Sequence, residues 1–380
     1  MRKSVLLLCA VGVLAACLCG VGLLKQRRAP QGKLPETVRV MAEQPAASGE
    51  PLSKPSPSEP QRAESTPEET RPSETEKAYD LEANTYLLSF VGDCTLGSDA
   101  RIYGNKYSFI DVIGTDYDYP FRNVVSYFQE DDCTLVNLET VLKDNGDNPK
   151  EGGFAFRGPT AYTQILTGSS VDAVTVANNH IRDYGIRGVE STRDALTQTG
   201  LPFVEQDTYR VFTTERGLTI GMYGGFFQVD VEKVASAVQE MKKEGAELIV
   251  MAIHWGIECF YRPNTEQEAL GRALIDAGVD IVYGCHPHVL QRIEEYNGGI
   301  IYYSLGNFCF GGNHYPADLD TVILRQQVVR GEDGRVSLGT LTPIPASVSS
   351  QAPRNDFQPT PYEKGTEEYD RVLKKLGLAE

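Results

Sequence analysis

The chain has one tryptophan and five histidines in 380 residues, and its 36 basic side chains are outnumbered by 52 acidic ones. Each shortage removes a class of function. The net charge is −16, and the first 28 residues hold five basic and no acidic side chains, so the acid excess falls on the rest of the chain. Nucleic-acid binding rests on Lys and Arg neutralising phosphates, which this composition does not provide. Any anion the protein handles has to be drawn by something other than bulk charge, and a bound metal is sufficient. Of eight cysteines, Cys9, Cys17 and Cys19 lie in an N-terminal apolar run. The other five (Cys94, Cys133, Cys259, Cys285 and Cys309) include no C-x-x-C pair and are odd in number, so buried apolar filling is expected of them, not a disulfide framework. Ser304 lacks the G-x-S-x-G context of a nucleophile elbow, which sets serine-hydrolase chemistry aside.

One uncharged apolar run is present, from Ser4 to Leu24, flanked by Arg2 and Lys3 and by Lys25, Arg27 and Arg28. It is long enough to cross a bilayer as a helix, and residues 1–28 are expected to form a signal anchor. Leu14-Ala15-Ala16-Cys17 also reads as a lipobox, which gives the alternative of a lipoprotein anchored at Cys17. Both readings tether the remainder to the membrane outside the cytoplasm. Residues 29–83 are rich in Pro, Glu, Ser and Thr with almost no aromatic side chain, so they are expected to be a disordered spacer. A folded domain is expected over 84–348, followed by a polar tail, 349–380, that carries no readable motif.

In the folded part, short apolar runs alternate with amphipathic helical stretches, the pattern of an α/β protein. The runs end in polar residues: "TYLLSFVGD" at Asp93, "CTLVNLE" at Glu139, "VDAVTVANNH" at Asn178, Asn179 and His180, "AELIVMAIHWG" at His254, and "GVDIVYGCHPH" at His286 and His288. Ligands of α/β sheets bind beyond the carboxyl ends of the strands, so these residues are expected to converge. Four of the five histidines fall at such ends; only His314 does not.

Imidazole and carboxylate together suit first-row divalent metals such as Mn, Fe or Zn. His286 and His288, with Pro287 between them, are expected to serve one ion, two neighbouring ions, or an ion and a substrate phosphate. Asn179 offers an uncharged oxygen ligand, and His180 beside it is placed for general-acid work, with Asp183 spaced to hold its tautomer. The competing reading of "NNH" is an N-cap for the following helix. Asn178, Glu258 and Asn307 are candidate substrate contacts, whereas Trp255 is expected to pack.

The ordered series "FVGDCTLG", "NLE", "VANNHIRDYGIRGVESTRDAL", "IHWGIE" and "GCHPHVLQRIEEYNGGIIYYSLGNF" resembles the calcineurin-like metallophosphoesterases, and more specifically the CapA family of poly-gamma-glutamate capsule biosynthesis proteins. The resemblance covers about residues 86–345. It implies a four-layer metallophosphatase-like sandwich of two β-sheets flanked by helices. It also implies one or two divalent metal ions held by Asp93, Glu139, Asn179, His254, His286 and His288, with His180 as general acid. The departures are that Cys94-Thr95 follows Asp93 where a D-x-H histidine is usual, that Glu139 stands in N-L-E in place of G-D, and that Asn178 replaces the glycine of G-N-H. Two functions remain open on these residues. One is a metal-dependent hydrolase acting on a phosphoester or an anionic envelope polymer. The other is a non-catalytic accessory subunit of a polyglutamate synthase or export complex.

Overall fold

The computed structural model describes residues 80–379. The expected membrane segment, residues 1–28, and all but the last four residues of the expected spacer lie outside the described residues. Among the described residues, no helix is long and apolar enough to cross a membrane.

Two β-sheets carry the domain. In the first, the strand Thr85–Thr95 lies at the centre, parallel to Cys133–Leu138, which is parallel in turn to Ala173–Thr175 and so to Phe203–Val204. On its other side run the antiparallel strands Asp320–Arg330, Val336–Ser347 and Thr360–Pro361. The second sheet has the order Ile293–Tyr296, Gly299–Tyr302, Ile281–Cys285, Leu248–His254, Thr219–Phe226 and Tyr209–Thr213. Its four middle strands are parallel.

The central strands are buried on both faces, which is why they read as continuous apolar runs rather than alternating ones. Tyr86, Leu88, Phe90 and Leu135 of the first sheet meet Met222, Val250, Ala252, Tyr283 and Tyr302 of the second in one core. Val136, Leu138 and Val174 face outward, against Phe109, Ile113, Ile165 and Leu196 of short helices and of Gly185–Thr199. Ile249, Met251 and Val282 face outward from the second sheet, against Val234, Val238 and Leu274 of the helices Val231–Lys243 and Thr265–Asp276. Helix, sheet, sheet and helix are thus stacked in four layers.

Parallel pairing aligns the strand ends. Asp93 pairs with Asn137, and Asn137 with Thr175; His254 pairs with Cys285 and Phe226. The short strand Asn307–Phe310 runs parallel to the end of the first strand, with Asn307 opposite Asp93. Gly92 permits this approach, because a Cβ there would lie 2.1 Å from the carbonyl oxygen of Gly306.

The C-terminal residues, expected as a polar tail, pack onto the domain. Phe357 is buried in the outer core of the first sheet, and Val372 and Leu376 of the helix Glu367–Lys375 and its cap enter the core between the sheets. Arg371 grips the buried Asp320 through two hydrogen bonds of 2.7 Å. The boundary placed at residue 348 therefore does not exist in the fold; a short helix with one apolar stripe is concealed by its polar composition. The cysteines match expectation at four positions and depart at Cys259, which is exposed. Leu376→Ala is expected to cost about 2–5 kcal/mol of stability, seen as a lower denaturant midpoint. An unchanged midpoint would show the segment to be an appendage after all.

Candidate metal centre

The strand ends bring six of the predicted residues together: Asp93, Glu139, His180, His254, His286 and His288. Asp93, Glu139 and His254 are 1% exposed or less, and His286 is 5% exposed. Glu139 Oε1 lies 3.3 Å from His254 Nε2, 3.7 Å from His180 Nε2 and 3.9 Å from His288 Nε2. His286 Nδ1 is 3.1 Å from His254 Nε2, and His288 Nδ1 is 3.2 Å from Asp93 Oδ2. Three overlapping groups offer ligand atoms within 4.8 Å of one another: Glu139, His254 and His286; Asp93, Glu139 and His288; and Glu258, His286 and His288.

The two histidines of H-x-H do not sit on an extended segment. His286 and His288 both take positive φ, 101° and 57°, which is costly for residues with a Cβ. The turn sends the first imidazole toward His254 and the second toward Asp93 and Asn307. Strain of this kind persists only where the surroundings over-determine it, and here both rings are held by side chains from other strands.

Glu139 is the least compensated group. Neither carboxylate oxygen has a hydrogen-bond partner among the described residues, although both are buried. Burial, and next the charge of Asp93, push its pKa up to about 8. His254 is held down at about 3 and His286 at about 2, chiefly by burial. Burial also opposes charging His288, but Glu139 and Asp93 outweigh it and hold the imidazole at about 10. Burial works against ionising Asp93 as well, yet its contacts with His288 bring its carboxyl well below the usual range. The neutral imidazoles of His254 and His286, with a buried carboxyl group that finds no donor among the described residues, form a donor set that fits a divalent cation.

The neighbouring amides act as braces. Asn137, absent from the residues expected at the site, donates to Asp93 Oδ1 at 2.7 Å and lies 3.3 Å from His254 Nδ1. Its signal was a lone amide two residues before Glu139 on an otherwise apolar strand. Asn178 is not free for substrate: its amide nitrogen donates to Asn137 Oδ1 and to the Leu138 carbonyl, and its oxygen accepts from the His180 backbone. Asn307 Oδ1 is likewise engaged, 2.9 Å from His288 Nδ1. Of the three candidate substrate contacts, only Glu258 is exposed. The "NNH" segment does not cap the next helix, whose N-cap is Tyr184.

His180 is fixed from behind. Its Nδ1 lies 2.6 Å from Asp183 Oδ2, which also accepts from the Phe156 backbone at 2.7 Å. Lys150 Nζ, likewise unforeseen, is 2.5 Å from Asp183 Oδ1. With Nδ1 committed to Asp183, Nε2 is the nitrogen turned to the cluster. Trp255 packs as expected, stacked on Tyr303 and donating to its carbonyl.

Glu139 has a folded pKa above its unfolded value, so in metal-free protein its contribution to stability is complete below about 4.5 and is lost as pH rises through about 8. Glu139→Gln removes that titration. With chelator present, the variant is expected to gain stability relative to the native chain between pH 5 and 9. Parallel stability curves would show that Glu139 is not held protonated by its surroundings.

The chain has relatives among known proteins. The family described as "Bacterial capsule synthesis protein PGA_cap" matches residues 87–222 and 205–312. The capsule biosynthesis protein CapA of Bacillus anthracis is 31% identical over 251 residues, which span 59% of this chain and 59% of that protein. The PGA biosynthesis protein CapA of Bacillus subtilis is 28% identical over 312 residues, 74% of this chain and 77% of that one. Among solved structures, the NAD nucleotidase of Haemophilus influenzae aligns with a TM-score of 0.38 and 12% identity, over 77% of this chain and 63% of its own. The family match takes in the strand ends that carry Asp93, Glu139, His254, His286 and His288, and the chain belongs to the bacterial capsule synthesis protein family PGA_cap.

Proposed function

We propose that this protein is a membrane-tethered, extracytoplasmic metal-dependent hydrolase that serves the synthesis of a poly-gamma-glutamate type capsule or envelope polymer, on a metallophosphatase-like sandwich. The observation that carries the reading is the buried Glu139 side chain, which has no hydrogen-bond donor among the described residues, set among His254, His286, His288 and Asp93. Asp93, Glu139, Asn179, His254, His286 and His288 would hold one or two ions of Mn, Fe or Zn. When bound, such an ion lowers the pKa of a water and neutralises charge on phosphoryl oxygens. The chain's own contribution is orientation and proton supply. Asn137 and Asn307 set Asp93 and His288, and Asp183 sets His180 so that Nε2 presents a proton to a leaving oxygen. The acidic surface gives no help in drawing an anionic substrate, which leaves that task to the ion. The names of the Bacillus relatives support the capsule assignment.

A second reading is favoured by one departure. Thr95 occupies the place of the D-x-H histidine, and its buried hydroxyl has no hydrogen-bond partner among the described residues. A site short of one ligand suits an accessory subunit of a synthase or export complex with a structural or vacant metal site. His180→Ala separates the two. The hydrolase reading expects turnover to fall by about 10²–10⁴-fold and polymer output to fall with it, the fold staying intact by circular dichroism. Unchanged output from the same variant would favour the accessory subunit.

A further inference from the structure

Resting on the hydrolase reading of this centre, we propose that Phe154 is the platform for the leaving group, and that the substrates taken are phosphoesters whose leaving group carries a planar apolar ring. A general acid has to stand within hydrogen-bond reach of the leaving oxygen, so the leaving group lies on the His180 side of the cluster. That side is aromatic. The Phe156 ring lies 4.3 Å from the His180 ring, centroid to centroid. Phe154 stacks on Phe156 at 5.9 Å with the planes 25° apart. Phe156 is buried and Phe154 is 50% exposed, so the two rings step outward from the proton donor to solvent.

The step is built into the fold. The single carboxylate of Asp183 receives both His180 Nδ1 and the backbone N–H of Phe156, which ties the imidazole and the ring to one anchor. Gly312 leaves Phe156 its room, since a Cβ there would lie 2.8 Å from ring atoms of both Phe156 and Phe310. At the outer end, the Arg101 guanidinium lies 4.5 Å from the Phe154 ring centroid, and its Nε is held 2.5 Å from Asp99. Phe154 is thereby exposed but restrained. Planar rings stack on such a surface, whereas a short alkyl group gains little from it. In the reaction a water oxygen bonds to phosphorus while the bond from phosphorus to the leaving oxygen breaks. The electron pair goes to that oxygen with the proton from His180 Nε2, and the attacking water releases a proton to solvent, from which His180 is reprotonated, giving inorganic phosphate and a ring-bearing alcohol or phenol.

Phenylphosphonate and methylphosphonate test the platform without turnover, because neither is hydrolysed and they differ only in the ring. Each would be titrated by calorimetry into the manganese-supplemented full chain. Phenylphosphonate is expected to bind about three- to tenfold more tightly. That preference should vanish in Phe154→Ala and persist in Phe154→Tyr. It should also persist in Phe227→Ala, which removes a 42% exposed ring set against His286 instead, 5.0 Å away. Equal binding by the native chain, a preference that survives Phe154→Ala, or one abolished by Phe227→Ala alone would overturn the proposal. Phenyl phosphate turnover measured alongside separates the two readings. A ring preference without turnover removes the hydrolase and keeps Phe154 as a ligand platform, and turnover without a preference does the reverse.

Discussion

The structure turns on one buried carboxylate. Taking an anion out of water costs several kcal/mol unless a counter-charge or donors replace the lost hydration. Glu139 finds no donor among the described residues, and the chain surrounds it with imidazoles from three separate strand ends. His254, and His286 beside it, are held neutral by burial and neighbouring imidazoles, while His288 is claimed by Asp93 as well as by Glu139. The protein alone therefore keeps the proton on Glu139 up to about pH 8, and the charged form has no full answer within the chain. A divalent cation among the same atoms would answer it, and the four-layer sandwich then becomes the frame that holds the ligands at one edge.

That frame is costly to assemble and correspondingly specific. Parallel strands align Asp93 with Asn137 and His254 with Cys285, so each side chain at the edge inherits its height from sheet register. A layer of amides from Asn137, Asn178 and Asn307 then fixes the directions of Asp93, the His180 backbone and His288. The positive φ angles at His286 and His288 are tolerated because this packing determines both rings. Asp183 makes the equivalent brace for His180, and Lys150 balances its charge from the loop side.

Much of this was legible in the sequence because parallel α/β strands deliver their terminal residues to one edge. Asp93, Glu139, His180, His254, His286 and His288 were found in that way. The amides were harder. Asn137 sits inside a run that otherwise reads as buried strand, and its side chain is explained only by what two other strands place beside it. Sequence gives Asn178 and Asn307 a position near the site but not the hydrogen bonds that already occupy their side chains. The turn at His286-Pro287-His288 depends on backbone angles that residue type does not reveal. Phe154 and Phe156 lie in and just beyond a loop without periodicity, and Val372 and Leu376 are isolated apolar residues in a polar segment, so neither pair announced its partners.

Metal content measured by elemental analysis decides whether Glu139 and its histidines hold a divalent cation. The purified protein is expected to carry one or two equivalents of manganese, iron or zinc, and the His286→Ala, His288→Ala double variant to lose them while remaining folded. Folded native protein that takes up no metal, even after reconstitution, would contradict the account.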